Sequence, residues 1–188
     1  MELAAFAADP IAVGTLVGAL ALVMFAAAWH KLSEPEVFAG ALAAYRLLPQ
    51  ALVAPVARLL PMVEGLLAAG ILVPATRPAA LLLLAALILV YGAAMAINLL
   101  QGRRDIDCGC GGATHPLSWG LVARNIVLAA AALLASRPTL ERSMDWTDAL
   151  TLVLGVLAFY ALYLMADELL RQASRLAQLE RMEQDSTT

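Results

Sequence analysis

The sequence predicts an all-α integral membrane protein: a four-helix transmembrane bundle with a fifth span and a C-terminal helical tail. Of the 188 residues, 62% are hydrophobic and 14% are charged, whereas soluble domains usually carry about 25% charged residues. The apolar residues form blocks, and residues 11–29, 78–100 and 149–166 contain no charged side chain. A helix needs about 20 such residues to cross the hydrocarbon layer. Because these blocks lack polar stripes at helical spacing, they favour membrane spans over a soluble helical core.

The first span is predicted at residues 11–29 and is expected to be retained. The residues before it contain no Lys or Arg, so the positive region that opens a secretory signal is missing. A short helix at the membrane interface is predicted over residues 35–48, because a proline follows Ser33 and Glu34 there and proline suits the first position of a helix.

The second span, residues 51–73, carries Arg58 and Glu64, and we expect Pro55 and Pro61 to break it into steps. The third span, residues 78–100, leads into a hairpin over residues 101–116. The fourth span, residues 117–135, carries Arg124.

Two units are expected along the chain: a four-helix membrane domain over residues 1–146, and a fifth span with a C-terminal polar helix over residues 147–188. The tail at residues 167–185 mixes charged residues with leucines at helical spacing. This pattern predicts a solvated helical extension, and a docking helix for a partner is the alternative.

Membrane sidedness follows in part from the order of the spans. The connection after span one, the hairpin and the tail must share one side, because an even number of crossings separates them. Seven Lys and Arg residues lie on that side, three of them in the tail, and three lie on the other. The positive-inside rule therefore favours a cytoplasmic hairpin.

The hairpin holds both cysteines of the chain, Cys108 and Cys110, in the stretch "DIDCGCGG". Alternate Cα atoms lie about 5.5–7 Å apart, so the pair can close a small disulfide. Gly109 between them allows the turn without a side-chain clash. Such a short ring gains little entropy, so it is easily reduced and suits exchange better than stapling. Two inert thiols, or capture of a soft ion such as Cu(I) by the thiol pair, are the alternatives.

Polar residues at the hairpin end of the spans are predicted to form a pocket beneath the thiols, since ionisable residues in spans usually face the bundle interior. The pocket is a candidate site for a quinone headgroup or for proton relay. The alternative is a set of ion pairs that join helices, such as Glu64 with Arg124 or with Lys31. The predicted core of the pocket is His30, Lys31, Glu64, Asn98, Arg124 and Asn125, and its predicted rim is Tyr45, Arg46, His115 and Trp119.

Four stretches resemble the MauE branch of the DoxX-like membrane proteins, a family named for methylamine utilisation. They read "HKLSEPEVFAGALAAYRLLP", "LPMVEGLLAAGIL", "INLLQGRRDIDCGCGG" and "LSWGLVARN", and together they cover residues 30–125, about half of the chain. The resemblance implies a role in maturing periplasmic redox enzymes beside a thioredoxin-like partner. It also implies that Cys108 and Cys110 are the redox pair, with Lys31, Glu64 and Arg124 as the polar core.

Three functions follow as hypotheses. The first is a thiol–disulfide protein of the inner membrane. It would take electrons from a thioredoxin-like partner or client and pass them to a quinone, as an oxidoreductase would. On this hypothesis the thiol hairpin is expected on the extracytoplasmic side, against the charge count. The second is a non-catalytic scaffold for a partner enzyme, and the third is a carrier of a soft metal or small solute. Nucleic acids are not expected partners, because the chain has no long basic run and no zinc-type or phosphate-binding motif.

Overall fold

The chain is described by a computed structural model that covers residues 9–109, 116–139, 143 and 145–186. Within those ranges every regular element is a helix, and the connections contain one isolated bridge between Asp107 and Pro116. The all-α prediction is therefore confirmed. The helices are α1 (Pro10–Ser33), α2 (Pro35–Ala44), α3 (Gln50–Leu72), α4 (Arg77–Leu100), α5 (Trp119–Ala135) and α6 (Trp146–Ser186).

Four of these helices are long and apolar enough to cross a membrane: α1, α3, α4 and the part of α6 from Trp146 to Ala177. Helix α5 has 17 residues, which gives about 25 Å at 1.5 Å per residue and reaches the lower end of the range for a span. The chain is thus a multi-pass helical membrane protein, as the apolar blocks predict.

The bundle is organised around α1, which contacts α2, α3, α5 and α6, while α4 packs against α3 and α5. Asp9 starts α1, because its Oδ1 accepts hydrogen bonds from the backbone N–H of Ile11 (2.8 Å) and Ala12 (3.3 Å) and so satisfies donors that a helix start leaves open. The main core lies between α1, α3, α4 and α5, where Ile71 and Leu81 are fully buried.

The structure differs from the sequence prediction in α2 and α3. Helix α2 ends at Ala44, four residues early, because Arg46 has a φ of +53°, a left-handed conformation that cannot continue a right-handed helix. Helix α3 is continuous through Pro55 and Pro61, so the predicted break into steps is wrong. Prolines are tolerated in spans because neighbouring helices and local adjustments satisfy the freed backbone groups.

Helix α6 is a single helix that contains both the predicted fifth span and the tail. It packs closely on α1 at two glycines, where an added Cβ on Gly14 would lie 2.8 Å from Leu152 and one on Gly18 only 2.5 Å from Val156. Small residues four apart are a common means of close helix approach in membranes. The rest of the α6 span carries exposed leucines and aromatic residues that suit contact with lipid.

One end of the bundle, named here the thiol end, carries α2, the described hairpin residues 101–109 and 116, and the part of α6 from Leu170 to Ala177. The two connections meet there as predicted: Tyr45 O–H donates to the Cys108 carbonyl (3.2 Å), and the Arg103 guanidinium lies 3.5 Å from the Tyr45 carbonyl. Helix α6 reaches the same end, where Leu170 packs against Gly120. The fold therefore places α2 and α6 on either side of the hairpin.

Candidate functional site

A small cavity of about 70 Å³ lies beneath Cys108 at the thiol end, and it is named here the thiol cavity. Helix α2 forms one wall, and α1, α3 and α4 form the others. Two of the predicted pocket residues, Lys31 and Tyr45, face the same space as the cysteine. The lining residues are Lys31, Phe38, Ala41, Leu42, Tyr45, Leu60, Tyr91, Ala94, Met95, Cys108 and Gly109.

The roof of the thiol cavity is the first half of the thiol hairpin. Cys108 is only 7% exposed, because it packs in an apolar cluster with Tyr45 and with residues of α4 and α5, and Tyr45 holds its carbonyl. Gly109 turns the chain with a φ of +67°, and an added Cβ would lie 3.4 Å from the Phe38 ring; both features favour glycine there. The Asp107 carboxylate accepts a hydrogen bond from the Gly109 N–H (2.8 Å) and fixes this turn.

On the deep side of the cavity, Lys31 of α1 forms an ion pair with Glu64 of α3. The two side chains are 6% and 0% exposed. Tyr91 of α4 donates its hydroxyl proton to Glu64 Oε1 at 2.6 Å. The Lys31 ammonium also lies over two aromatic rings, 5.1 Å from the centre of Phe38 and 4.9 Å from that of Tyr91, within the range of cation–π attraction.

Burying this pair has a cost that its surroundings offset. Taking two charges out of water is expensive unless further hydrogen bonds and good geometry compensate. Tyr91 and the two rings supply part of that compensation. Glu64 Oε2, however, has no hydrogen-bond partner among the described residues, so one carboxylate oxygen retains the capacity to accept a proton or a further donor.

Asn98 and Asn125 lie in the same half of the bundle, between α4 and α5. Asn125 Nδ2 lies 3.4 Å from the sulfur of Met95, and Met95 lines the thiol cavity. Asn98 is fully buried and donates from Nδ2 to the Ala94 carbonyl at 3.0 Å. Neither asparagine lines the cavity itself; each contacts a residue that does, Asn98 through Ala94 and Asn125 through Met95.

His30 and Arg124 belong to a second polar group, named here the α6 cluster. Arg124 forms an ion pair with Asp167 of α6, and its guanidinium lies 5.8 Å from the centre of the Tyr163 ring. His30 lines a groove of about 400 Å³ between α1 and α6 together with Asp167 and Tyr163. Of the two ion pairs considered for Glu64, the structure contains the one with Lys31, because Arg124 pairs with α6 instead.

The predicted rim residues are dispersed. Tyr45 lines the thiol cavity, whereas Arg46 is exposed at the left-handed end of α2. Trp119 lies beyond the hairpin, in a groove of about 280 Å³ beside α6. Cys110 and His115 lie outside the described residues. In the described part of the chain, no three side chains among His, Cys, Asp and Glu come together as a possible metal site.

Three residues of these sites were missed by the sequence reasoning: Phe38, Tyr91 and Asp167. Tyr91 had a signal, because its hydroxyl lies in a span whose other polar side chain is Asn98, and polar groups in a span need a partner. Asp167 was assigned to the solvated tail, since it directly follows the fifth apolar block. Phe38 had no signal, because an aromatic residue in an interfacial helix is ordinary.

These features define a class: a multi-pass helical membrane protein with a cysteine packed over a buried, aromatic-lined ion pair. The particular family follows from comparison with known proteins. The family described as methylamine utilisation protein MauE matches residues 9–137, which is more than half of the chain. The chain therefore belongs to the MauE family.

Curated relatives agree with this assignment. The chain is 44% identical to the methylamine utilization protein MauE of Paracoccus denitrificans over 133 residues, which is 70% of this chain and 72% of the relative. It is 38% identical to the protein of that name from Methylophilus methylotrophus over 154 residues, 79% of this chain and 80% of the relative. No solved structure matches the chain. The family match includes every described residue of the thiol cavity and ends before α6.

Proposed function

We propose that this protein is a membrane thiol–disulfide protein that supports disulfide formation during the maturation of redox enzymes. Its relatives are named for methylamine utilisation, and we extend that accessory role to this chain. The observation that carries the proposal is the position of Cys108. One member of the Cys108–Cys110 pair borders a cavity that also contains the Lys31 ammonium, and nearby cations favour the thiolate that exchange requires.

The proposed reaction has two half-cycles. The Cys108–Cys110 disulfide accepts two electrons and two protons from a client or thioredoxin-like dithiol, which leaves as a disulfide. The resulting Cys108–Cys110 dithiol then gives two electrons and two protons to an oxidant, for which a membrane quinone is the proposed class; the quinone becomes a hydroquinone. Glycine between the cysteines and the short ring that they close both support an easily reversed disulfide.

A quinone would approach the thiol cavity from the lipid. At about 70 Å³ the cavity has room for roughly two waters, which is less than a substituted quinone ring needs. We therefore propose that α2 moves away from the hairpin to admit the quinone. Helix α2 is a suitable moving part, because it has only 10 residues and ends at the left-handed Arg46.

We place the thiol end on the extracytoplasmic face of the inner membrane. This placement rests on the family's association with periplasmic enzymes, and it sets aside the excess of Lys and Arg at that end. Labelling a single-thiol variant, Cys110→Ser, in intact cells with a membrane-impermeant maleimide tests it. Because Cys108 is buried, labelling in mild detergent serves as the control that the thiol can react at all. Labelling that is absent in intact cells and appears when cells are broken without detergent would contradict the placement.

The function is tested by reconstitution of the full chain in lipid vesicles with ubiquinone, using reduced thioredoxin as the probe. The intact protein should oxidise thioredoxin with matching quinone reduction. Cys108→Ser and Cys110→Ser should each abolish both signals. A Ser118→Ala variant is the matched control, because it changes a hydroxyl near the hairpin without touching the thiol pair. Equal thioredoxin oxidation in all four proteins would sink the proposal.

A scaffold for a partner enzyme is the second candidate, and the length of α6 favours it. At 41 residues and 1.5 Å per residue, α6 is about 60 Å long, roughly twice the hydrocarbon thickness. Exposed Leu176 and Leu179 lie beyond Asp167 on its distal part. Removing residues 178–188 keeps the Arg124–Asp167 pair and tests this role. Loss of client maturation with thioredoxin oxidation intact would assign a docking function to the tail.

A further inference from the structure

The observation that the proposed reaction leaves unused is that one ammonium, Lys31, borders both a thiol and a buried carboxylate. Lys31 lines the thiol cavity with Cys108 and pairs with Glu64 on its deep side. Glu64 has one oxygen with no hydrogen-bond partner among the described residues. A cation between two groups that can each carry a negative charge can exchange one partner for the other.

We infer that Lys31 and Glu64 form an activating site for Cys108, in which Glu64 takes the thiol proton and the Lys31 ammonium changes its partner from the Glu64 carboxylate to the Cys108 thiolate. In this step the S–H bond breaks, an O–H bond forms on Glu64, and no electron is transferred. The net charge of the three groups is unchanged, so the step brings no new charge into the membrane. This inference deepens the proposed function, since it assigns how that thiol is activated.

The aromatic rings explain why the ammonium can remain when Glu64 is neutral. An ammonium buried without a counter-charge would be costly. Phe38 and Tyr91 each place a ring about 5 Å from the Lys31 nitrogen, and such contacts gain strength where water is excluded. The rings thus keep the cation in place during the exchange of partners.

Tyr91 lies on the route of the proton. Its side chain lines the thiol cavity, and its hydroxyl donates to Glu64 Oε1 at 2.6 Å. Tyr91 can pass its hydroxyl proton to Glu64 and take another proton from the cavity side. The tyrosine then ends the step unchanged, and the atoms balance. The cavity has room for roughly two waters to complete the path from the sulfur.

Other charged and titratable groups near the cavity must be considered before the sign of any pH effect is fixed. Those of the described part of the hairpin are Arg103, Arg104, Asp105 and Asp107. Arg103 lies 3.5 Å from the Tyr45 carbonyl, Asp107 accepts from the Gly109 N–H, and Arg104 lines the groove beside α6. The groups on each packed element are Lys31 on α1, Tyr45 on α2, Glu64 on α3 and Tyr91 on α4. Lys31 is the only cation among the residues that line the thiol cavity.

The test uses the Cys110→Ser background, in which Cys108 is the single thiol, and needs no disulfide exchange. Thiolate absorbance in the ultraviolet is followed against pH in detergent, with the Cys108→Ser, Cys110→Ser protein subtracted. Lys31→Met should move the midpoint of thiolate formation to higher pH by at least about one unit, because the stabilising cation is lost. Glu64→Gln should move it to lower pH by a similar amount, because Lys31 is then left without its competing anion.

Opposite signs distinguish the proposed site from a structural role. If the substitutions only damaged packing, the midpoint of thiolate formation would shift in the same direction in both variants. If the thiol did not interact with either residue, the midpoint would be unchanged in both. Either result would overturn the inference. Glu36→Gln is the matched control, since it removes an exposed carboxylate from α2 and should leave the midpoint unchanged. If Lys31→Met does not fold, the near-isosteric Glu64→Gln is sufficient as a test. A lower midpoint of thiolate formation in that variant supports the inference, and an unchanged midpoint contradicts it. A failure here with thioredoxin oxidation intact would leave the proposed function standing.

Discussion

The two ion pairs of the bundle differ in burial, in neighbours and in their place along the chain. Lys31–Glu64 is almost completely buried and borders a cysteine, whereas the Asp167 side chain of the Arg124–Asp167 pair is 27% exposed at the surface of α6. The first pair lies within the residues that match the MauE family, and the second joins that part to a helix beyond the match. On our proposal the buried pair serves the chemistry of the thiol, whereas the peripheral pair fastens α6 to the bundle.

The largest effect is expected when the buried pair is broken. Lys31→Ala or Glu64→Ala leaves one charge without its partner inside the bundle, which typically costs about 3–5 kcal/mol. The double variant Lys31→Met, Glu64→Met should recover much of that loss, because neither charge remains. Denaturant unfolding in detergent measures all three. A double variant as unstable as the single ones would show that the pair itself holds the helices together.

The next effect concerns the contact between α1 and α6. Gly18→Leu places a side chain where even a Cβ would lie 2.5 Å from Val156, and overpacking of this kind costs about 1–3 kcal/mol. Gly40→Leu is the control, since nothing lies within 4 Å of an added Cβ there. Thermal unfolding compares the two. If Gly18→Leu also moved the Cys108 titration, the thiol cavity and α6 would not be independent regions.

A smaller effect is expected at the peripheral pair. Asp167→Asn should destabilise the protein by about 1 kcal/mol or less, because partly exposed ion pairs are screened by solvent. The exchange activity in vesicles should be retained, since Asp167 is far along the chain from the thiol cavity and lines another groove. Loss of activity with an unchanged unfolding midpoint would move the α6 cluster into the functional site.

An effect of comparable size is expected at the roof of the cavity. Tyr45→Phe removes the hydrogen bond to the Cys108 carbonyl, worth about 0.5–1.5 kcal/mol, while the ring continues to cover the thiol. Alkylation of Cys108 in the Cys110→Ser background should become faster because the hairpin opens more often. Unchanged alkylation would mean that packing of Phe38 and Ala41 alone holds the hairpin closed.

Much of this comparison was accessible from the sequence, and the reasons are physical. Apolar blocks with no charge identify spans wherever they reach the bilayer thickness, and crossing order alone brought α2 to the hairpin. Glu64 and Lys31 were recognised because charges in spans need partners. The choice of partner for Arg124 was not accessible, because it depends on how α6 lies against α1, and that contact is set by Gly14 and Gly18 at a level of detail that span prediction does not reach.

The sequence also did not show that the fifth span and the tail form one continuous helix, α6. A change from apolar to charged residues at Asp167 predicts the end of the apolar block, but it does not end the helix, which continues to Ser186. The left-handed end of α2 at Arg46 was also hidden, because arginine carries no local signal for a positive φ.

The most direct test of the central claim is the oxidation state of Cys108 and Cys110 in native membranes. Acid trapping followed by labelling with a heavy maleimide, before and after reduction, reports each state as a mass shift on a gel. The account predicts a pair that is largely oxidised, or one that shifts between dithiol and disulfide as the quinone supply is changed. A pair that stays fully reduced whatever the oxidant would contradict thiol–disulfide exchange and would favour the scaffold.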